Sequence, residues 1–177
     1  PRTFAVAVGD QHFDYTLPGA ALATFVWPAA KALSSKLDLV DLTGATATAS
    51  PTGDNPGAAV DQEALTRWSA GTSQVPGQYF QIDLGREVHI RRVVLDSGAT
   101  DANPWWAPDG KPSSDYARSW ELYASDDGAT WVRVAAGVGT GQLTTIDVGH
   151  LKTRFLRVVN TGTAGNWWSI ADVRLYN

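Results

Sequence analysis

The side chains able to do acid–base or nucleophilic work are few in this sequence and poorly grouped. Cleaving a glycosidic bond generally takes two carboxylates across a cleft, one of them with a raised pKa. Glutamate occurs only as Glu63, Glu87 and Glu121, and Glu87 stands in a turn signal. The fifteen aspartates are scattered mainly through turns, where capping and Asx-turn formation accounts for them. A Ser-His-Asp arrangement would have to use His12, His89 or His150, and none lies in a nucleophile-type context. Cysteine is absent, which removes thiolate catalysis, disulfides and a zinc–sulfur centre. Catalysis within this chain is therefore not expected. Tryptophan is the outlier: there are eight, more than a core usually needs, and stacking surfaces use such residues.

The elements that must position these residues are bounded by length and charge. A chain of 177 residues is one domain, or one domain with a small appendage. It buries roughly two thirds of its unfolded surface and needs no covalent staples. Net charge is −4, which disfavours nucleic acid and anionic membranes as partners. No stretch approaches the ~20 apolar residues of a membrane span. The chain starts at Pro1 without methionine or a signal peptide, so a processed or cut start is expected.

Two segments differ in character. Arg2–Val8, His12–Leu17 and Ala20–Trp27 read as strands separated by Gly9-Asp10 and Pro18-Gly19 turns. Residues 28–37 (PAAKALSSKL) read as a linker. From Asp38 onward, short strands alternate with turns. Gln78–Leu84 alternates with Phe80, Ile82 and Leu84 on one face. Ile90–Leu95, Ser119–Ala124, Thr130–Ala135, Leu143–Val148, Phe155–Asn160 and Val173–Tyr176 follow. No long segment has helical period, so an all-β antiparallel sandwich is expected. Residues 99–116 (ATDANPWWAPDGKPSSDY) form a long loop carrying two adjacent tryptophans, a length that is usually functional.

Six stretches in order resemble a known family: AAVDQEALTRWSAG (58–71), GQYFQIDLG (77–85), IRRVVLDSG (90–98), WELYASDDGATW (120–131), TRFLRVVNTG (153–162) and NWWSIADVRLYN (166–177). They are similar to the discoidin-type, or coagulation-factor C-type, domain, whose bacterial branch is the family 32 carbohydrate-binding modules. The resemblance covers about residues 38–177 and implies an eight-stranded jelly-roll β-sandwich, with residues 1–27 as a short N-terminal β appendage. The pattern LDSG, DYAR, SDDG and NWWSI resembles the modules of bacterial chitosanases and glucanases. YTLPGAALATFVW (15–27) resembles the closing strands of the side β-domain of family 30 glycoside hydrolases. Together these imply an accessory module of a secreted, extracellular bacterial glycanase whose catalytic domain lies upstream.

The resemblance also implies one structural Ca²⁺. Asp61 would give its carboxylate, Ala58 and Glu63 their carbonyls, and Thr66 its hydroxyl or carbonyl. The Ala171 carbonyl and Asp172 would close the shell. Hard oxygen ligands, several of them carbonyls, are what Ca²⁺ takes. Gln62 stands where the family usually has glycine, and Asp172 where it usually has glutamate. The alternative is that these polar groups simply hydrogen-bond one another.

Sugar rings present C–H faces that pack on indole and phenol rings, while planar polar groups reach the hydroxyls. Trp68, Trp120 and Trp131 fall in strand motifs or beside them and are expected in the core. Trp105, Trp106 and Trp167 fall in loops. Trp167 precedes the last strand, where family members commonly place a binding aromatic, and Trp168 should then face inward. One of Trp105 and Trp106 is expected to anchor the loop and the other to meet ligand. Asp96, Tyr116 and Arg118 flank that loop as polar candidates. Asp96 and Arg118 could fork to sugar hydroxyls or pair with each other. The expected ligand is a polysaccharide: a β-glucan, a chitosan-like chain or a β-galactan. The galactose-specific members' His and Arg…Asn set has no clear counterpart. The chain is expected to be a monomer that binds neither nucleic acid nor membrane. The competing reading is a structural or interaction domain for a protein or cell-surface partner.

Overall fold

Alternation from Tyr79 to Leu84 buries Phe80, Ile82 and Leu84 and leaves Tyr79, Gln81 and Asp83 half-buried on the other face. That pattern, repeated in neighbouring strands, builds the architecture of the computed structural model. It describes residues 2–8, 11–17, 19, 37–63, 65–98 and 115–177. The chain divides into two units, Pro1–Lys36 and Leu37–Asn177.

In the first unit, β1 (Arg2–Val8) and β2 (Gln11–Leu17) pair antiparallel, from Arg2 opposite Leu17 to Val8 opposite Gln11. The Thr3 and Thr16 hydroxyls, directly opposed, share a 2.8 Å hydrogen bond. The expected strand Ala20–Trp27 and residues 28–36 of the expected linker lie outside the described residues.

Among its described residues the second unit holds eight strands, the number the resemblance implied. They are β3 (Thr46–Ser50), β4 (Trp68–Gln74), β5 (Tyr79–Asp96), β6 (Ser119–Ser125), β7 (Val132–Val138), β8 (Leu143–Asn160), β9 (Ala164–Ile170) and β10 (Asp172–Tyr176). One sheet runs β10-β5-β8-β6-β7 with β3 also on β5, and β4 pairs with β9. Every pairing is antiparallel. The described helix content is a single 3-10 turn at Pro56–Ala59.

Two expected strand pairs turn out to be single bent strands. Gln78–Leu84 and Ile90–Leu95 fuse into β5, and Leu143–Val148 and Phe155–Asn160 fuse into β8. Register shifts between Asp83 and Val88, and between Ile90 and Arg92, carry the pairing around the bends. Gly85 (φ 70) and Gly149 (φ 69) sit at these irregularities, so a bulge glycine imitates a turn signal in the sequence. β9 is a further correction: Trp167 lies within a strand, not in a loop.

The core is built around Trp68, which meets Trp168 edge-to-face at 5.1 Å and Phe80 at 5.1 Å. Its indole N–H, which needs a partner when buried, donates to the Thr52 carbonyl at 2.8 Å. Trp120 is buried as expected. Trp131 is not: it is half-exposed and stands outside the core cluster, one residue before β7. The ends of this unit are hydrogen-bonded to each other. Asp38 and Asn177 exchange backbone bonds of 3.2 and 3.0 Å, and Val40 N–H donates to the Leu175 carbonyl at 2.8 Å.

Candidate functional site

Strand alternation decides which indole of the Trp167-Trp168 pair is available. Trp168 is 1% exposed against Trp68, whereas Trp167 is 47% exposed. Trp167 lies opposite Ser73 of β4, where the β4–β9 register is irregular.

Beneath it, Gln74 is fully buried and spends both ends of its amide. Its Nε2 donates to the Trp167 carbonyl at 3.1 Å and the Tyr116 carbonyl at 3.0 Å. Its Oε1 accepts from the Arg118 backbone N–H at 3.1 Å. One side chain thus joins β4, β9 and the segment leading into β6. On that base the Arg118 guanidinium lies over the Tyr116 ring at 4.0 Å and donates to Asn166 Oδ1 at 3.3 Å. The result is a shelf in which a guanidinium is stacked on a phenol ring and tied to an amide, one residue along β9 from the exposed indole. Asn166 and Gln74 were not singled out from sequence. Asn166 carried a signal, since it directly precedes the tryptophan pair. Gln74 carried none.

Tyr116, Arg118 and Trp167 are therefore brought together. Asp96 is engaged elsewhere. Its Oδ2 accepts from Arg174 at 2.6 Å, and its Oδ1 accepts from the Gly98 N–H and the Gln142 amide, both at 3.0 Å. None of these bonds reaches Arg118, so the expected Asp96–Arg118 pair is replaced by Asp96–Arg174. Cross-strand pairing explains the choice, because Asp96 on β5 faces β10, which carries Arg174. Trp105 and Trp106 lie outside the described residues.

The second constellation is the loop from Ala58 to Thr66. The Thr66 hydroxyl is 3.2 Å from the Ala58 carbonyl and 3.0 Å from the Glu63 carbonyl. It lies 3.0 and 2.9 Å from the two carboxylate oxygens of Asp61. A hydroxyl has one proton to give, and even with the Glu63 N–H on Asp61 Oδ1 (2.9 Å) and the Thr66 N–H on the Glu63 carbonyl (3.3 Å), the four acceptors outnumber the donors. Such a surplus of oxygens suits a hard cation. Asp172 is partly buried, and its carboxyl is held above the usual range by burial first, opposed by Arg174 and reinforced by the negative charges of Asp96 and Asp61. Arg174 Nε stands 3.3 Å from it. Ala171 is buried at the one-residue junction of β9 and β10. Among the described residues no three His, Cys, Asp or Glu side chains group to hold a metal. An ion in this loop would rest largely on carbonyl and hydroxyl oxygen. Gln62 has φ 63, the left-handed conformation that favours glycine, which gives a physical reason for the glycine usual at that position.

Residues 43–173 match the family described as F5/8 type C domain. No curated protein matches. Among solved structures, the chain is similar to the Clostridium perfringens module CpGH89CBM32-5 in complex with GalNAc-β-1,3-galactose, with TM-score 0.63, 18% identity, and coverage of 79% of this chain and 100% of that one. It is similar to the family 32 module of NanJ from C. perfringens in complex with galactose (TM-score 0.61, 16% identity, 78% and 98% covered). It is also similar to chitosan-binding module 1 of a chitosanase/glucanase from Paenibacillus sp. IK-5 (TM-score 0.57, 22% identity, 75% and 93% covered).

Two substitutions probe these supports. Gln74→Leu keeps the volume but takes the amide away from the Trp167 carbonyl and the Arg118 N–H and leaves the Tyr116 carbonyl only a 3.4 Å bond from Arg118 Nη1, and should cost roughly 3 kcal/mol in denaturant unfolding. Gln62→Gly should instead stabilise the fold by about 1 kcal/mol, by removing a left-handed non-glycine residue, read as a higher Tm.

Proposed function

The chain belongs to the F5/8 type C domain family, and from that premise we propose that its second unit is a non-catalytic carbohydrate-binding module. The observation that carries this reading is the exposed Trp167 beside the Arg118–Asn166 shelf. An indole face takes the C–H face of a pyranose, while the guanidinium and amide reach its hydroxyls. The family 32 modules of similar fold, two of them solved with galactose-containing sugars, support it. In this reading the module is part of a secreted, extracellular protein, and residues 1–27 are the closing strands of an upstream glycanase domain. Tethering raises the local concentration of the enzyme on its polymer even when each contact is weak. The ligand is a polysaccharide of the β-glucan, chitosan-like or β-galactan kind.

A structural Ca²⁺ belongs to the same proposal. Asp61, the Ala58 and Glu63 carbonyls, Thr66, the Ala171 carbonyl and Asp172 would hold it. It would supply no chemistry beyond compensating the surplus oxygens and the raised Asp172 carboxyl, tying the loop to β10.

Trp167→Ala should lower polysaccharide affinity by roughly thirtyfold, about 2 kcal/mol for a stacked indole at a hot spot. The melting temperature should barely move, because the side chain is outside the core. Affinity electrophoresis against β-glucans, galactans and chitosan measures the first, and unchanged mobility in every gel refutes the platform. For the metal, Ca²⁺ should raise the Tm above that of EDTA-treated protein, and Asp61→Asn should abolish the difference. Identical melting curves with and without Ca²⁺ exclude the site.

A further inference from the structure

The outward face of the β5–β8–β6 sheet carries a cation in an unusual setting. Register places Gln81, Arg157 and Tyr123 in one row across the three strands. The Arg157 guanidinium lies 3.9 Å from the Trp131 ring centre and 4.8 Å from that of Tyr79. Its Nε and Nη2 both donate to Gln81 Oε1, at 3.0 and 2.6 Å. A guanidinium has five N–H donors, so three are left without a partner among the described residues. The neighbouring cations are all matched. Arg154 holds Asp83 through two 2.8 Å bonds, Arg133 holds Glu121 at 2.6 Å, and Lys152 holds Glu87 at 2.6 Å. Arg157 alone in this group has only neutral partners: an amide oxygen and aromatic faces.

This arrangement also explains why Trp131 is outside the core. It fixes the plane of a half-buried guanidinium, and with Tyr79 and Tyr123 it offers aromatic surface around it. A planar carboxylate fits the free edge of such a guanidinium with two parallel charge-assisted bonds. The adjacent rings suit the C–H face of the sugar that bears it. We propose that this sheet face is a second saccharide site, which takes the carboxylate of a hexuronate residue on Arg157. It is separate from the shelf: among the described residues, Tyr116, Arg118 and Trp167 share no hydrogen bond or ring contact with Arg157.

The test is a titration of the whole chain with trigalacturonate, following the Trp131 indole N–H signal by NMR after its assignment with Trp131→Phe. The methyl ester of the same trisaccharide is the uncharged control. The signal should shift saturably with the acid and not with the ester, both in the native chain and in Trp167→Ala. Arg157→Gln and Arg157→Lys should each weaken binding about tenfold or more, because lysine keeps the charge but not the fork. Melting curves check that both variants fold. No shift at millimolar acid overturns the proposal, as does an equal response to the ester or unweakened binding by a folded Arg157 variant. A shift abolished by Trp167→Ala places the acid on the shelf and equally refutes the sheet-face site.

Discussion

A primary amide sealed from water has to use its donors and its acceptor inside the protein, and Gln74 shows what that requirement can organise. Its three hydrogen bonds go to backbone groups of segments distant in sequence, so the amide is satisfied only when all three are in register. Tyr116, Arg118 and Trp167 inherit their positions from that agreement. The exposed shelf is thus fixed from below by a residue that no ligand could reach.

The rest of the unit supports this arrangement from the side. β5 and β8 pair along nearly their whole length, continuing through two irregular bends. Trp68 packs across onto Trp168, so the strand bearing the exposed indole is held to the core by its immediate neighbour. Binding surface and core are adjacent residues of one strand, separated only by the alternation of side chains.

Much of this was legible in the sequence, for identifiable reasons. Phe80, Ile82 and Leu84 alternate with polar residues, and such strands announce themselves. β3 (TATAS) and most of β4 (WSAGTSQ) are small residues with no large apolar face, and β9 (AGNWWSI) sets two tryptophans side by side instead of alternating, so they hid. The expected strands stop at Leu84 and Val148, one residue before the bulge glycines 85 and 149, because a bulge asks for positive φ as a turn does. The inward Trp168 followed from strand geometry. Trp131 misled because a tryptophan beside a strand motif is most simply assigned to the core, while its actual partner, Arg157, lies 26 positions away on β8. Asp96 misled similarly, since it and Arg118 flank the same loop, while strand pairing supplied Arg174. The oxygens around Thr66 came from family likeness; composition alone gives no hint of carbonyls.

The seam where Asp38 meets Asn177 has a mechanical meaning. A force drawing those two residues apart acts across their shared backbone bonds rather than along the strands. It therefore loads the ladder one rung at a time, beginning with Asp38–Asn177 and passing next to Val40–Leu175. A domain pulled through such a seam opens like a zipper, while the same bonds under shear would resist together. Anything that strains the chain at these two points first meets the weakest direction of an otherwise well-tied sandwich. The buried shelf support at Gln74 lies beyond those first rungs.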